Sequence, residues 1–218
     1  VSEINPKPES GSIYDYPWDS LTQALYGRRA GELCMHVSGS GMGKSTVLRE
    51  LVTFDLFEKR KVGVLMLEET AADTANSLIA LQLNKPVNKI FAEREINGQR
   101  IAAGKKPLDF GKLPTLTDEE YETARVALGK QPLWVYDHFG SLECDKLMQK
   151  LEYMANGIHC DVIYLDHLSI VVSGMESNDE RKDIDILMTK LETFTKRTSV
   201  RLEVVCHLTK PQGSKPFE

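Results

Sequence analysis

Residues Ser38 to Thr46 read SGSGMGKST. The spacing suits a loop that grips phosphate groups. Gly39, Gly41 and Gly43 let the backbone curl so that its N–H groups face phosphate oxygens. Ser40, Gly41, Met42, Gly43, Lys44, Ser45 and Thr46 would line a bound nucleotide, with Lys44 meeting the outer phosphates. The Ser45 hydroxyl would hold Mg2+. The usual pattern, G-x-x-x-x-G-K-[ST], wants glycine where this chain has Ser38. That departure costs little, because Ser38 opens the loop and need not touch phosphate. A bare G-K-S could equally be a surface turn. Its context decides otherwise: the apolar run LCMHV precedes it and the helical pattern STVLRELVTF follows it. A helix start adds free N–H groups and a favourable dipole for an anion.

Three further residues carry candidate chemistry. Asp166 follows VIYL and suits the acidic residue that holds a magnesium shell. Its plainer reading is a helix cap. Glu68 closes VLML, where a carboxylate can polarise the water that attacks a terminal phosphate. Its plainer reading is a solvated residue at a helix start, a role that suits its neighbour Glu69. His207 ends LEVVC, where a polar side chain could bond the terminal phosphate. A structural histidine is the equal alternative there. His36 and His159 receive no role, and ring packing is the reading for His138 and His167.

These residues need elements to hold them. Apolar runs fall at 33–37, 62–67, 133–136, 162–165 and 202–206. Four read as strands buried on both faces. The last, with Glu203 inside, reads as nearer a sheet edge. Helical stripes fill the gaps: Leu147, Leu151 and Met154 in one, and Ile184, Leu187, Met188, Leu191 and Phe194 in another. The polar segment 84–131 reads as an excursion with a helix or two. Strand–helix alternation implies an α/β fold, a mostly parallel sheet flanked by helices. Ligands of such sheets bind beyond the carboxyl ends of the strands, where every candidate above lies.

The bulk numbers set bounds. With 218 residues, 41% hydrophobic, the chain can bury the core of one domain. A net charge of −5 argues against a broad basic surface, though not against a local basic channel. The four cysteines lack metal or disulfide spacing and read as reduced, buried thiols of a reducing compartment. No signal peptide or membrane-length apolar run is present in the sequence. Residues 1–20 read as a linker or arm, and 21–218 as the domain.

Together SGSGMGKST, VGVLMLEET, CDVIYLDHLSIVVSG and VVCHLTKP resemble the helicase domain of T-seven-like phage helicase–primases, a group with a RecA-like core to which the Twinkle helicase also belongs. The resemblance runs from about Gly27 to Lys210, and a serine at position 38 is typical of the phage branch. It implies a RecA-like P-loop NTPase core. Lys44 and Ser45 would bind Mg2+ and ATP or another NTP or dNTP, Glu68 would act as base, Asp166 would hold the metal and His207 would sense phosphate. It also implies a homo-oligomeric ring, a hexamer, that hydrolyses NTP and moves five-prime to three-prime on single-stranded DNA in the host cytoplasm, with replication proteins as further partners. Lys210 and Lys215 are the DNA-contact candidates, although the phage pattern has lysine where this chain has Thr209. The family continues past the equivalent of Glu218 to an arginine finger, so the domain is expected to be incomplete and weakly active alone. A nucleotide-gated assembly ATPase on the same core stays open as an alternative. A small-molecule kinase fits less well, for want of an arginine-bearing lid.

Overall fold

The computed structural model describes residues 13–39, 41–137, 142–172 and 180–207; the side chains of Ser169, Val172, Glu180, Arg181 and His207 are not described. An antiparallel pair, β1 (Ile13–Tyr14) and β2 (Arg28–Arg29), brackets α1 (Asp19–Leu25). The main sheet contains β3 (Leu33–Ser38), β4 (Val62–Met66), β5 (Leu133–Val135), β6 (Val162–Asp166) and β7 (Arg201–His207). Its order is β3-β7-β6-β4-β5, and every neighbouring pair is parallel. The alternation in the sequence requires this: a parallel pair needs a crossover, and helices fill the crossovers. These are α2 (Lys44–Phe57), α3 (Ala71–Leu83), α4 (Val87–Ala102), α5 (Asp118–Gly129), α6 (Cys144–Glu152), α7 (Leu168–Val172) and α8 (Glu180–Thr198). The excursion at 84–131 thus supplies α4 and α5.

Two apolar layers sandwich the sheet. Strand side chains alternate between its faces. Val62, Val64, Met66, Val162, Tyr164 and Val205 point to the layer under α2, with Leu48, Leu51 and Val52. Leu65, Ile163, Leu165, Leu202 and Val204 point to the opposite layer, with Leu147 and Leu151 of α6 and Leu187, Leu191 and Phe194 of α8. A third, smaller cluster joins α3, α4 and α5 through Ile79, Val87, Ile90 and Ala124. After α6 the chain widens into a π-helical turn, Tyr153–Gly157. Gly63 permits that turn to lie close, since a Cβ there would come within 2.8 Å of the Met154 sulfur. Two helix starts on the excursion side are capped by side chains. Thr70 accepts from the Asp73 N–H, and Thr117 and Glu120 form a reciprocal capping box.

The strand positions correct the expectation for the outer and inner runs. β7 lies inside the sheet, between β3 and β6, and Glu203 is fully buried. β3 stands at an edge among the described strands, with Met35 and Val37 exposed. β5 stands at the other. A buried carboxylate is tolerated because hydrogen-bonding partners surround it, one of them a guanidinium: Arg201 Nε lies 2.6 Å from Oε1 and His36 Nε2 lies 2.8 Å from Oε2. Burial alone would raise the Glu203 pKa; the His36 hydrogen bond and the Arg201 charge overcome it and hold it at about 2. Beside it, Arg28 forks onto Asp55 of α2 at 3.0 and 2.5 Å, and the Tyr164 hydroxyl donates to Asp55 at 2.6 Å. Arg28 also donates to the Asp15 carbonyl. This network ties the segment before β2 to the back of α2 and to β6, which fixes the helix whose front carries the glycine-rich loop.

Candidate nucleotide site

The loop leaves β3 at Ser38 and enters α2 at Lys44. Gly41 and Gly43 have φ of 77° and 85°, a region that side chains disfavour, and a Cβ at either would meet nothing within 4 Å. These glycines therefore serve the backbone's curl rather than a tight contact. Ser38 has no positive φ and ends a strand, so glycine is not required there. The serine instead contributes: its Oγ lies 3.3 Å from Lys44 Nζ. The Lys44 ammonium also donates to the carbonyls of Ser38 at 2.9 Å and Gly39 at 2.7 Å. A largely buried cation thus sits within the loop's own oxygens. Gly43 caps α2 without a side chain, and no acidic residue occupies its first turn. The backbone N–H groups of that turn face outward with their dipole uncompensated, the arrangement that binds anions. Ser45 is half-buried there, and Met42 and Thr46 are exposed.

The other candidates come to the same edge, in the order of the strands. His207 ends β7 in register with Ser38. Asp166 ends β6 in register with Met66, the last residue of β4. The Leu67 N–H extends that ladder to the Asp166 carbonyl at 2.6 Å, which brings Glu68 beside His167. Asp166 is buried, and among the described residues its Oδ1 has no hydrogen-bond partner. A buried carboxylate oxygen without a donor calls for a cation or its water shell, so the donor set fits a hard divalent ion.

Glu68 and Glu69 are set apart by their partners. Glu69 uses both oxygens inside the protein: Arg49 donates to one at 2.6 Å and Thr74 to the other at 2.9 Å. Glu69 is therefore a structural residue held by side-chain partners, not the solvated helix-start residue expected from the sequence. Glu68 is exposed and accepts from His167 Nε2 at 2.8 Å. Ring packing alone was therefore an incomplete expectation for His167, which is buried and also touches the candidate base. The signal was available: Asp-His ends one strand and Leu-Glu-Glu follows another, but only the strand order shows that the two are neighbours. Asp137 lies near the start of α3, with its Oδ1 3.4 Å from the Ala71 N–H. Ser40, His138, Lys210 and Lys215 lie outside the described residues, as does the His207 side chain.

Two other features are set apart from this edge. Cys34, His36 and Glu203 bring ligand-type atoms within 4.8 Å of one another. Glu203 is already ion-paired with Arg201 and hydrogen-bonded to His36, and burial, the largest cause, pushes the Cys34 thiol up to about 12. The cluster reads as part of the ion network under the sheet. An open groove of about 630 Å3, lined by Tyr16, Arg29, Glu32, Met188 and Lys196 among others, begins where β3 begins, not where the loop leaves it.

The sequence is similar to that of a known phage protein. The chain is 40% identical over 199 residues to the DNA helicase/primase of Enterobacteria phage T3, covering 91% of this chain and 32% of that protein. Over most of its length this chain is similar to a phage helicase/primase. It spans about a third of the length of that relative. The fold agrees: a solved ATPase domain superposes with a TM-score of 0.66 at 15% identity, covering 94% of this chain and 69% of that one. A DnaB-like replicative helicase, solved in a study of its interactions with primase, superposes with a TM-score of 0.65 at 15% identity, covering 97% of this chain and 49% of the other. The chain therefore has the RecA-like fold of these domains. No protein-family model matches the chain. Among the described residues no helix is long and apolar enough to cross a membrane.

Proposed function

We propose that this chain is the motor core of a replicative DNA helicase, hydrolysing Mg-NTP to move single-stranded DNA through a homo-oligomeric ring. The observation that carries the reading is one sheet edge. The loop, the donor-free Asp166 oxygen and Glu68 all stand at the carboxyl ends of parallel strands, in a chain 40% identical to a phage helicase/primase. Within 21–218, residues 40–46 would cradle the phosphates and Lys44 would turn from loop carbonyls to phosphate oxygens. Ser45 and Asp166 would hold a divalent ion, Mg2+ being the fitting choice, which supplies charge neutralisation on the phosphates. Glu68 would take a proton from water as the water oxygen bonds the terminal phosphorus; the bond to the bridging oxygen breaks and nucleoside diphosphate leaves. His207, two strands from Glu68, would bond the terminal phosphate and register its loss.

The test is NTP hydrolysis by the whole protein with and without single-stranded DNA, beside unwinding of a forked duplex. Strong stimulation by DNA, with unwinding from a five-prime tail, is expected. Hydrolysis indifferent to DNA, with no unwinding, would overturn the motor reading and leave a nucleotide-switched assembly module.

A further inference from the structure

We propose that His167 is a positioning residue for Glu68: it holds one oxygen of that carboxylate so that the other is presented to the attacking water. The inference rests on the reading of Glu68 as the base. An ionised carboxylate only accepts hydrogen bonds, so the 2.8 Å contact places the imidazole proton on Nε2. The two partners differ in a useful way. The His167 side chain is 9% exposed and the Glu68 side chain 57%. The ring is fixed from both sides in sequence, by Asp166 at the end of β6 and by buried Leu168 at the start of α7. Its backbone neighbour is locked to β4 through the Leu67 N–H. An exposed glutamate left to itself samples several rotamers, and a general base must stand within hydrogen-bond reach of the proton it takes. A buried donor that grips Oε1 selects one orientation. Among the described residues no hydrogen bond engages Glu68 Oε2, whereas both oxygens of Glu69 are engaged by Arg49 and Thr74. Among the described residues, of the two adjacent acids the one beside His167 keeps an oxygen for water.

The experiment is steady-state hydrolysis by the whole protein with saturating single-stranded DNA. His167→Phe keeps a ring and removes the donor. His167→Gln keeps a donor of similar reach, and His167→Asn shortens it. The phenylalanine variant should lower kcat by roughly 10- to 100-fold, in line with the cost of misplacing a catalytic group, with KM for NTP little changed. The glutamine variant should recover most of the loss and the asparagine variant should not. Added to Glu68→Gln, His167→Phe should cost nothing further. Wild-type kcat in His167→Phe, or an equal loss in the Glu68→Gln background, would overturn the positioning role. Should His167→Phe fail to fold, equal activity of the glutamine and asparagine variants would overturn it. Full hydrolysis by Glu68→Gln would instead sink the reading of Glu68, a distinguishable failure.

Discussion

Lys44 carries the loop's most specific chemistry. Its ammonium is largely buried and bonded to three loop oxygens, so it is held at the loop from which it would turn to phosphate. Lys44→Ala removes charge-assisted bonds, each about 1.5–3 kcal/mol. Nucleotide affinity, measured by titration with a fluorescent NTP and Mg2+, should fall on the order of 10- to 100-fold. Unchanged affinity would remove Lys44 from the site. At this scale the sequence was legible where the chemistry is local: glycines, lysine and hydroxyls stand in one short run. The role of His167 was not, because its partner is 99 residues away and only strand order joins them. Ser38 shows the reverse. Its departure from glycine looks suspect in a pattern and is ordinary in the structure, where a strand's last residue needs no left-handed backbone.

The elements that hold these residues were legible through hydrophobic period. VGVLM and VIYLD are wholly buried strands, and the stripe of Leu187, Leu191 and Phe194 marks the inner face of α8. What period could not give is which strand is outermost. Glu203 looks like an edge residue, yet it is interior, because Arg201 and His36 complete its hydrogen bonds from neighbouring positions. The LCMHV run looks interior, yet it is an edge among the described strands. Helix α2 depends on a second buried set, Arg28, Asp55 and Tyr164. Asp55→Ala would strand a buried guanidinium and should cost about 3–5 kcal/mol. For a domain of this size that lowers Tm by roughly 6–20 °C, readable by thermal melts. A shift under about 2 °C would show that the network does not hold the helix.

For the whole molecule, function follows from where the sheet ends. Five parallel strands deliver the loop, His207, Asp166, Glu68 and Asp137 to one edge, in an order the sequence does not contain. The resemblance to phage helicase–primases gives that edge its proposed task, and the proposal divides the labour along the strand order: phosphate grip at β3, metal at β6, water at β4. The most direct measurement is hydrolysis and nucleotide binding by Glu68→Gln in the whole protein. Loss of the base should slow hydrolysis by about 100-fold or more while Mg-NTP still binds with near wild-type affinity. Hydrolysis within a few-fold of wild type would contradict the account, because no water-activating group would then stand where this edge places one.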